Sequence, residues 1–269
     1  YRAQFPYLYR KPEGMTDKEY MDECVKSVYD VFENCSPAEY VAAIVMEPLQ
    51  GEGGFIPAPI EFVKAVRKIC DEKGILLIAD EVQSGFGRTG KLFASEYWKE
   101  NGCAPDIIAT AKSIAGGVPL SAVIASKEVM DAVPGGTIGG TYGGNALACA
   151  AGLEVLKLMD EGGLVKRSQE IGKKVMAAFN EMKEKYEVVG DVRGLGAMIG
   201  VEFVKNKKTK EPNPEFVGKF IQECAKNGLL VENAGIYGNV IRFLAPLVIT
   251  DAQLNAGLEI YENAIKACM

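Results

Sequence analysis

The chain has 269 residues, 48% of them hydrophobic and 25% charged, with a net charge of −6. That supplies a sizeable core for one large domain or two modest ones, and the acidic balance argues against nucleic acid and anionic membrane surfaces as partners. Histidine is absent altogether, which removes Ser-His-Asp and Cys-His catalysis from within these residues and, with no four-cysteine spacing, most zinc sites as well.

In chain order, residues 1–12 read as an extended, proline-broken packing segment. Thr16 and Glu19 have the spacing of a capping box, and the helix they open carries Tyr20, Met21, Cys24, Val25, Val28 and Phe32 on one stripe. SPAE at 36–39 is a second helix start, enough for a short turn. Residues 41–46 form a buried strand ending at Glu47, which reads as structural support. QGEGGF at 50–55 is glycine-dense, so its backbone can approach a ligand closely. An amphipathic helix over 60–72 turns Phe62, Val63, Val66, Ile69 and Cys70 inward and stops at Gly74. Two apolar runs, 75–79 and 106–111, read as strands, and each leads into a charged residue, Asp80 and Lys112. Runs apolar at every position suit strands covered on both faces, as in a parallel sheet. A helical stretch over 94–101 separates them and a further strand spans 118–126. This alternation from 41 to 126 predicts right-handed crossovers in a parallel-type sheet.

A second glycine-dense loop, GGTIGGTYGGN at 135–145, feeds a helix over 145–159 that bridges to another domain. From there the pattern is α+β: a long charged helix over 163–186, a strand pair over 188–204 broken at GLG, a helix over 214–227, strands at 229–232 and 239–245, and a closing helix over 250–267 capped by Thr250. The boundary falls near residue 155, giving domains 1–154 and 155–269. No apolar run approaches the roughly 20 residues that span a bilayer. Seven cysteines, an odd number without any CxxC, read as reduced thiols of a cytoplasmic protein.

Ligands of parallel sheets sit beyond the carboxyl ends of the strands. Asp80 and Lys112 therefore bring one anion and one amine to the same rim. That pairing suits pyridoxal phosphate, which needs an amine to hold its aldehyde as a Schiff base and a carboxylate to keep its pyridine nitrogen protonated. Taken singly, a strand-end Asp is a turn or cap residue and a Lys is a solvated cation; the wording around both carries the assignment. EPLQGEGGF, ADEVQSGFGRTG, PDIIATAKSIAGGVPLSAV and GGTYGGNALACAAG occur in that order. Together they resemble the class III (omega) aminotransferases, fold-type I enzymes dependent on pyridoxal 5'-phosphate, and the resemblance runs over essentially the whole chain.

The resemblance implies an α/β fold: part of the fold-type I large domain, a mostly parallel sheet with helices, followed by a smaller α+β C-terminal domain. It implies that Lys112 is the Schiff-base lysine and proton shuttle, Asp80 the partner of the pyridine nitrogen, Val82 a contact on the ring face and Gln83 a partner of the ring hydroxyl. A lysine in that role needs a depressed pKa, which a cationic or desolvated site would supply. Thr141 matches the threonine that binds the cofactor phosphate across a dimer interface, so a homodimer or a dimer of dimers is implied.

Arg242, in NVIRFLAP, matches the arginine that clamps a substrate α-carboxylate, and Glu52 matches the glutamate that pairs with it. Such a pair acts as a switch. Glu52 neutralises Arg242 for an ω-amino acid and swings away for glutamate. Independently, an arginine in an apolar strand is costly unless paired. AKSIAGG and IGGTYGGN resemble the branch acting on 4-aminobutyrate, which implies amino transfer to 2-oxoglutarate, giving succinate semialdehyde and glutamate. Acetylornithine, ornithine and 5-aminovalerate are alternative donors. An aminomutase of the same family and a non-catalytic remnant are alternative readings. The family pattern starts upstream of Tyr1, so these residues are expected to be the C-terminal portion of a longer enzyme, with a sheet edge or apolar face left uncovered.

Overall fold

The computed structural model describes residues 1–137 and 139–269; Ile138, in the second glycine-dense loop, lies outside them. Among the described residues the strands are β1 (Ala43–Met46), β2 (Leu49–Gln50), β3 (Ile56–Pro57), β4 (Leu76–Asp80), β5 (Ile107–Thr110), β6 (Ala122–Ala125), β7 (Val189–Leu195), β8 (Met198–Phe203), β9 (Glu232–Ala234) and β10 (Val240–Phe243). The chain forms two compact units. The first comprises residues 1–48, 58–86 and 91–163, the second residues 49–57, 87–90 and 164–269.

In the first unit the Thr16–Glu19 capping box is present in both directions and starts the helix Asp17–Asn34, which buries Tyr20, Cys24 and Val28. The helix Ile60–Lys73 buries Phe62, Val63, Val66, Ile69 and Cys70, the set its periodicity predicts, and ends on Gly74 in the left-handed region at φ +67°. The buried residues of both helices except Val28 and Ile69 share one apolar cluster with Leu77 and Ala79 of β4.

The sheet order is β1-β4-β5-β6. β1 and β4 pair in parallel, as do β4 and β5, but β5 and β6 run antiparallel. The strand expected over 118–126 in a parallel-type sheet thus runs antiparallel to its neighbour. A parallel return needs a crossover of a dozen or more residues, usually helical. Residues 111–121 hold only the single 3-10 turn Lys112–Ala115, so the chain doubles back.

The strands are covered on one face, and the other is the uncovered apolar face that the sequence leads one to expect. In β4, Leu77 and Ala79 are buried and alternate with the half-buried Leu76 and Ile78. On β1 and β6, Val45 is 61% exposed, Val123 58% and Ile124 45%. The helices just described cover one face, and apolar side chains of the other remain open.

In the second unit β7-β8-β10-β9 form an antiparallel sheet, and β2 pairs with β3. The helix Leu164–Lys185 buries Ile171, Val175, Phe179 and Met182. Asn213 caps the helix Pro214–Lys226, and a Thr250–Gln253 capping box opens the helix Asp251–Cys268. Phe179, Phe203, Phe216, Phe220 and Tyr261 form an aromatic core with neighbouring ring centroids 4.6–6.2 Å apart. The strand expected at 229–232 begins instead at Glu232. Leu229 N–H donates to Cys224 O at 2.9 Å, closing the preceding helix, and Leu230 is 88% exposed. No helix among the described residues is long and apolar enough to cross a membrane.

The GRTG end of ADEVQSGFGRTG belongs to this second unit. Ala197 N–H and Ser168 Oγ both donate to Arg88 O, at 2.9 and 3.1 Å, and Arg88 Nη1 donates to Ala245 O at 2.8 Å. Gly196, at φ +52°, sits so close that a Cβ would lie 2.3 Å from the Thr89 carbonyl carbon. Backbone faces backbone there, so neither side can yield by rotating a side chain. Gly196→Ala is expected to lose on the order of 2–4 kcal/mol of stability, measured by urea unfolding; an unchanged midpoint would contradict the close packing.

Candidate active site

Asp80 closes β4 and stands opposite Ala109 of β5; Lys112 opens the turn that follows β5. The carboxylate and the amine thus sit at the carboxyl ends of neighbouring parallel strands. Backbone groups tie these ends together: Glu81 N–H donates to Ala109 O at 2.8 Å, and Thr110 Oγ1 donates to Glu81 O at 3.4 Å. Val82 N–H donates to Asp80 Oδ1 at 3.0 Å, which folds the carboxylate over the turn carrying Val82 and Gln83, both half-buried.

Lys112 adopts φ +48°. An unbranched, non-glycine residue gains nothing locally from the left-handed region, which costs about 1–3 kcal/mol; the surrounding turn imposes it. Among the described residues, the other non-glycine positions with positive φ are Phe55, Phe86 and Lys210. Phe55, Phe86 and Lys112 all lie in the quoted motifs, and strain gathers where structure is held for function. The Lys112 side chain is exposed and makes no ion pair among the described residues. The desolvated surrounding expected for it is therefore not supplied by these residues. Thr141 lies in an exposed turn, with no hydrogen bond to Asp80, Gln83 or Lys112 among the described residues.

In the second unit, Arg242 of β10 is held between two carboxylates. Its Nη1 donates to Glu52 Oε1 at 2.6 Å and its Nη2 to Glu232 Oε2 at 2.6 Å. The first contact was expected from the sequence. The second was not, because it depends on the pairing of β9 with β10, which sets Glu232 directly opposite Arg242. The backbone carrying Glu52 is anchored from below. Gly235 N–H donates to Glu52 O at 2.9 Å, and Arg193 donates to Gly54 O through Nε and Nη2 at 3.0 and 2.7 Å. Arg193 also pairs with Asp191 and with the fully buried Glu202, at 3.0 and 2.8 Å. An arginine and a glutamate on opposite arms of the 188–204 strand pair were a legible hint of that anchor.

Glu81 is a further residue whose role was not expected from the sequence. It is fully buried, accepting from Ser84 Oγ at 2.6 Å and from Ser95 N–H at 2.5 Å. Burial pushes its carboxyl above the ordinary value of 4.5, and the hydrogen bonds from Ser84 and Ser95 offset only part of this. The signal available was its place directly after Asp80, at the end of a run that is otherwise apolar. No group of three or more Cys, Asp or Glu that could hold a metal ion occurs among the described residues.

Residues 1–265 match the family described as aminotransferase class-III. The chain is 47% identical over 267 residues to a probable 4-aminobutyrate aminotransferase of Bacillus subtilis (strain 168), covering 99% of this chain and 61% of that protein. It is 48% identical over 243 residues to the 5-aminovalerate aminotransferase DavT of Pseudomonas putida, covering 90% of this chain and 56% of that one. In structure it is similar to an amine transaminase from an uncultivated Pseudomonas species in the PLP-bound form, with TM-score 0.88, 33% identity, and coverage of 98% of this chain and 61% of that chain. The chain thus spans 61% and 56% of the lengths of the two curated relatives.

Glu81→Ala leaves the Ser95 N–H and the Ser84 hydroxyl without their buried acceptor, and a loss on the order of 2–3 kcal/mol is expected. Urea unfolding measures it, and an unchanged midpoint would contradict the buried role. Because the folded carboxyl is raised, its contribution is fully present below 4.5 and is lost as pH rises through the folded value. Glu81→Gln should flatten that limb of the stability–pH curve.

Proposed function

The chain belongs to the class III aminotransferase family, and from that premise we propose that it forms the lysine-bearing part of a pyridoxal 5'-phosphate-dependent transaminase. In this reading the enzyme moves the amino group of an ω-amino acid, 4-aminobutyrate, to 2-oxoglutarate, giving succinate semialdehyde and glutamate. The observation that carries it is the placement of Asp80 and Lys112 at adjacent strand ends, with Lys112 forced to positive φ. An amine and a carboxylate so placed fit the aldehyde and the ring nitrogen of this cofactor.

Lys112 Nζ would hold the aldehyde carbon, Asp80 the ring nitrogen, Val82 the ring face, Gln83 the ring hydroxyl and Thr141 the phosphate. When bound, the cofactor supplies an electron sink that makes the proton on the amino-bearing carbon removable. Asp80, fixed by Val82 N–H, keeps the ring nitrogen protonated. Lys112 Nζ, once displaced by the substrate amine, takes that proton and returns it.

Arg242 takes the substrate α-carboxylate, and Glu52 covers Arg242 when the substrate has none there. Both carboxylates on Arg242 are exposed, Glu52 by 71% and Glu232 by 76%. Exposed ion pairs of this kind are worth about 0–1 kcal/mol, so the Glu52 contact can open on each turnover at little cost. Thr141, exposed and without a hydrogen bond to Asp80, Gln83 or Lys112 among the described residues, fits a residue that completes a phosphate site in a homodimer or a dimer of dimers. The seven free cysteines fit a cytoplasmic enzyme. 5-Aminovalerate is the second donor, favoured by the identity to DavT.

Lys112→Ala should lower transamination at least about 10³-fold. Glu52→Gln should lower kcat/KM for 4-aminobutyrate more than for glutamate. Steady-state kinetics of the two half-reactions checks both. Turnover retained without Lys112, or turnover without any 2-oxo acid acceptor, would contradict the assignment.

A further inference from the structure

Arg242 faces two carboxylates, and they differ in how they are held. Glu52 rides on a glycine-rich loop whose backbone is anchored through Gly54 O and Glu52 O. Its movement is therefore a side-chain rotation. Glu232 belongs to a paired strand: the β9–β10 register sets it directly across from Arg242, and Nη2 donates to its Oε2 at 2.6 Å. Cross-strand partners keep their spacing for as long as the ladder holds. We propose that Glu232 is a specificity-determining residue. It is a cross-strand counter-ion that stays within reach of Arg242 and competes for one of its nitrogens after Glu52 has swung away, and so weakens capture of a substrate α-carboxylate. This rests on the reading of Arg242 as the carboxylate clamp.

The chemistry follows from the guanidinium fork. A carboxylate binds an arginine most tightly through two parallel N–H···O bonds. With Nη2 committed to Glu232, an incoming carboxylate is left with the Nη1 side alone. It also meets a second negative charge at Glu232. Two carboxylates, Glu52 and Glu232, already share the one guanidinium before the substrate arrives. Disfavouring the wrong ligand by a like charge is a standard route to discrimination. Amines whose carboxylate lies far from the reacting nitrogen escape this repulsion. α-Amino acids and 2-oxo acids bear it. The site is thereby biased toward ω-amino donors and is obliged to bind its α-carboxylate partners loosely.

Glutarate, a dicarboxylate without an amine or a keto group, reads this directly by calorimetry on the whole enzyme, independently of turnover. Glu232→Gln should bind glutarate about fivefold more tightly than the parent, the upper range for an exposed pair. Glu232→Ala should do likewise, and Arg242→Ala should bind more weakly. In kinetics the Glu232 variants should lower KM for glutamate while leaving KM for 4-aminobutyrate within twofold or so. Circular dichroism confirms folding, and two variants guard against failure of either one. Glutarate affinity unchanged in both Glu232 variants, with a loss in Arg242→Ala, overturns the role of Glu232 and leaves the clamp standing. An affinity that Arg242→Ala does not alter, or no binding by any of the proteins, removes the clamp and this inference with it.

Discussion

Asp80 pairs with Ala109 across two parallel strands, and that register decides where the carboxylate and the amine stand. A slip by one residue would turn Leu77 and Ala79 away from the helices Asp17–Asn34 and Ile60–Lys73 and bury Leu76 and Ile78 in their place. The apolar core of the first unit therefore fixes the register, and the register fixes the rim. Glu81 adds a local lock. Its backbone joins β4 to β5, and its buried side chain holds Ser84 and the Ser95 N–H. The strained backbone at Lys112 is the price of turning the chain immediately after β5 so that β6 can return antiparallel.

Contrasting electrostatic regimes organise the second unit. Arg193 and Glu202 are 11% and 0% exposed, and removing one partner of such a buried pair costs about 3–5 kcal/mol. Arg242 bonds two carboxylates that are mostly in water, each contact worth about 0–1 kcal/mol. The first pair anchors the loop, whereas the exposed contacts on Arg242 cost little to break. The aromatic core around Phe203, Phe220 and Tyr261 holds the sheet that carries both.

Much of this was legible in the sequence wherever the signal was local. The capping box at Thr16, the buried face of Ile60–Lys73, the stop at Gly74 and the cap at Thr250 all depend on residues within a few positions of one another. The four motifs fixed the family, and through it the Glu52–Arg242 contact across 190 positions. What stayed hidden depends on pairing between distant segments. The direction of β6 turned on how little helix the connection holds. The start of β9 was placed early because Leu229 and Leu230 look strand-like, while the Leu229 N–H completes a helix end. Glu232 became visible only with the β9–β10 register.

The claim on which the account rests is that Lys112 is the amine that holds the cofactor. The most direct measurement is to add pyridoxal 5'-phosphate to the purified protein, reduce with borohydride, digest, and map the mass adduct. A single pyridoxyl adduct is expected on the peptide containing Lys112, with loss of the visible absorbance on reduction. An adduct on another lysine, with Lys112 unmodified, would contradict it.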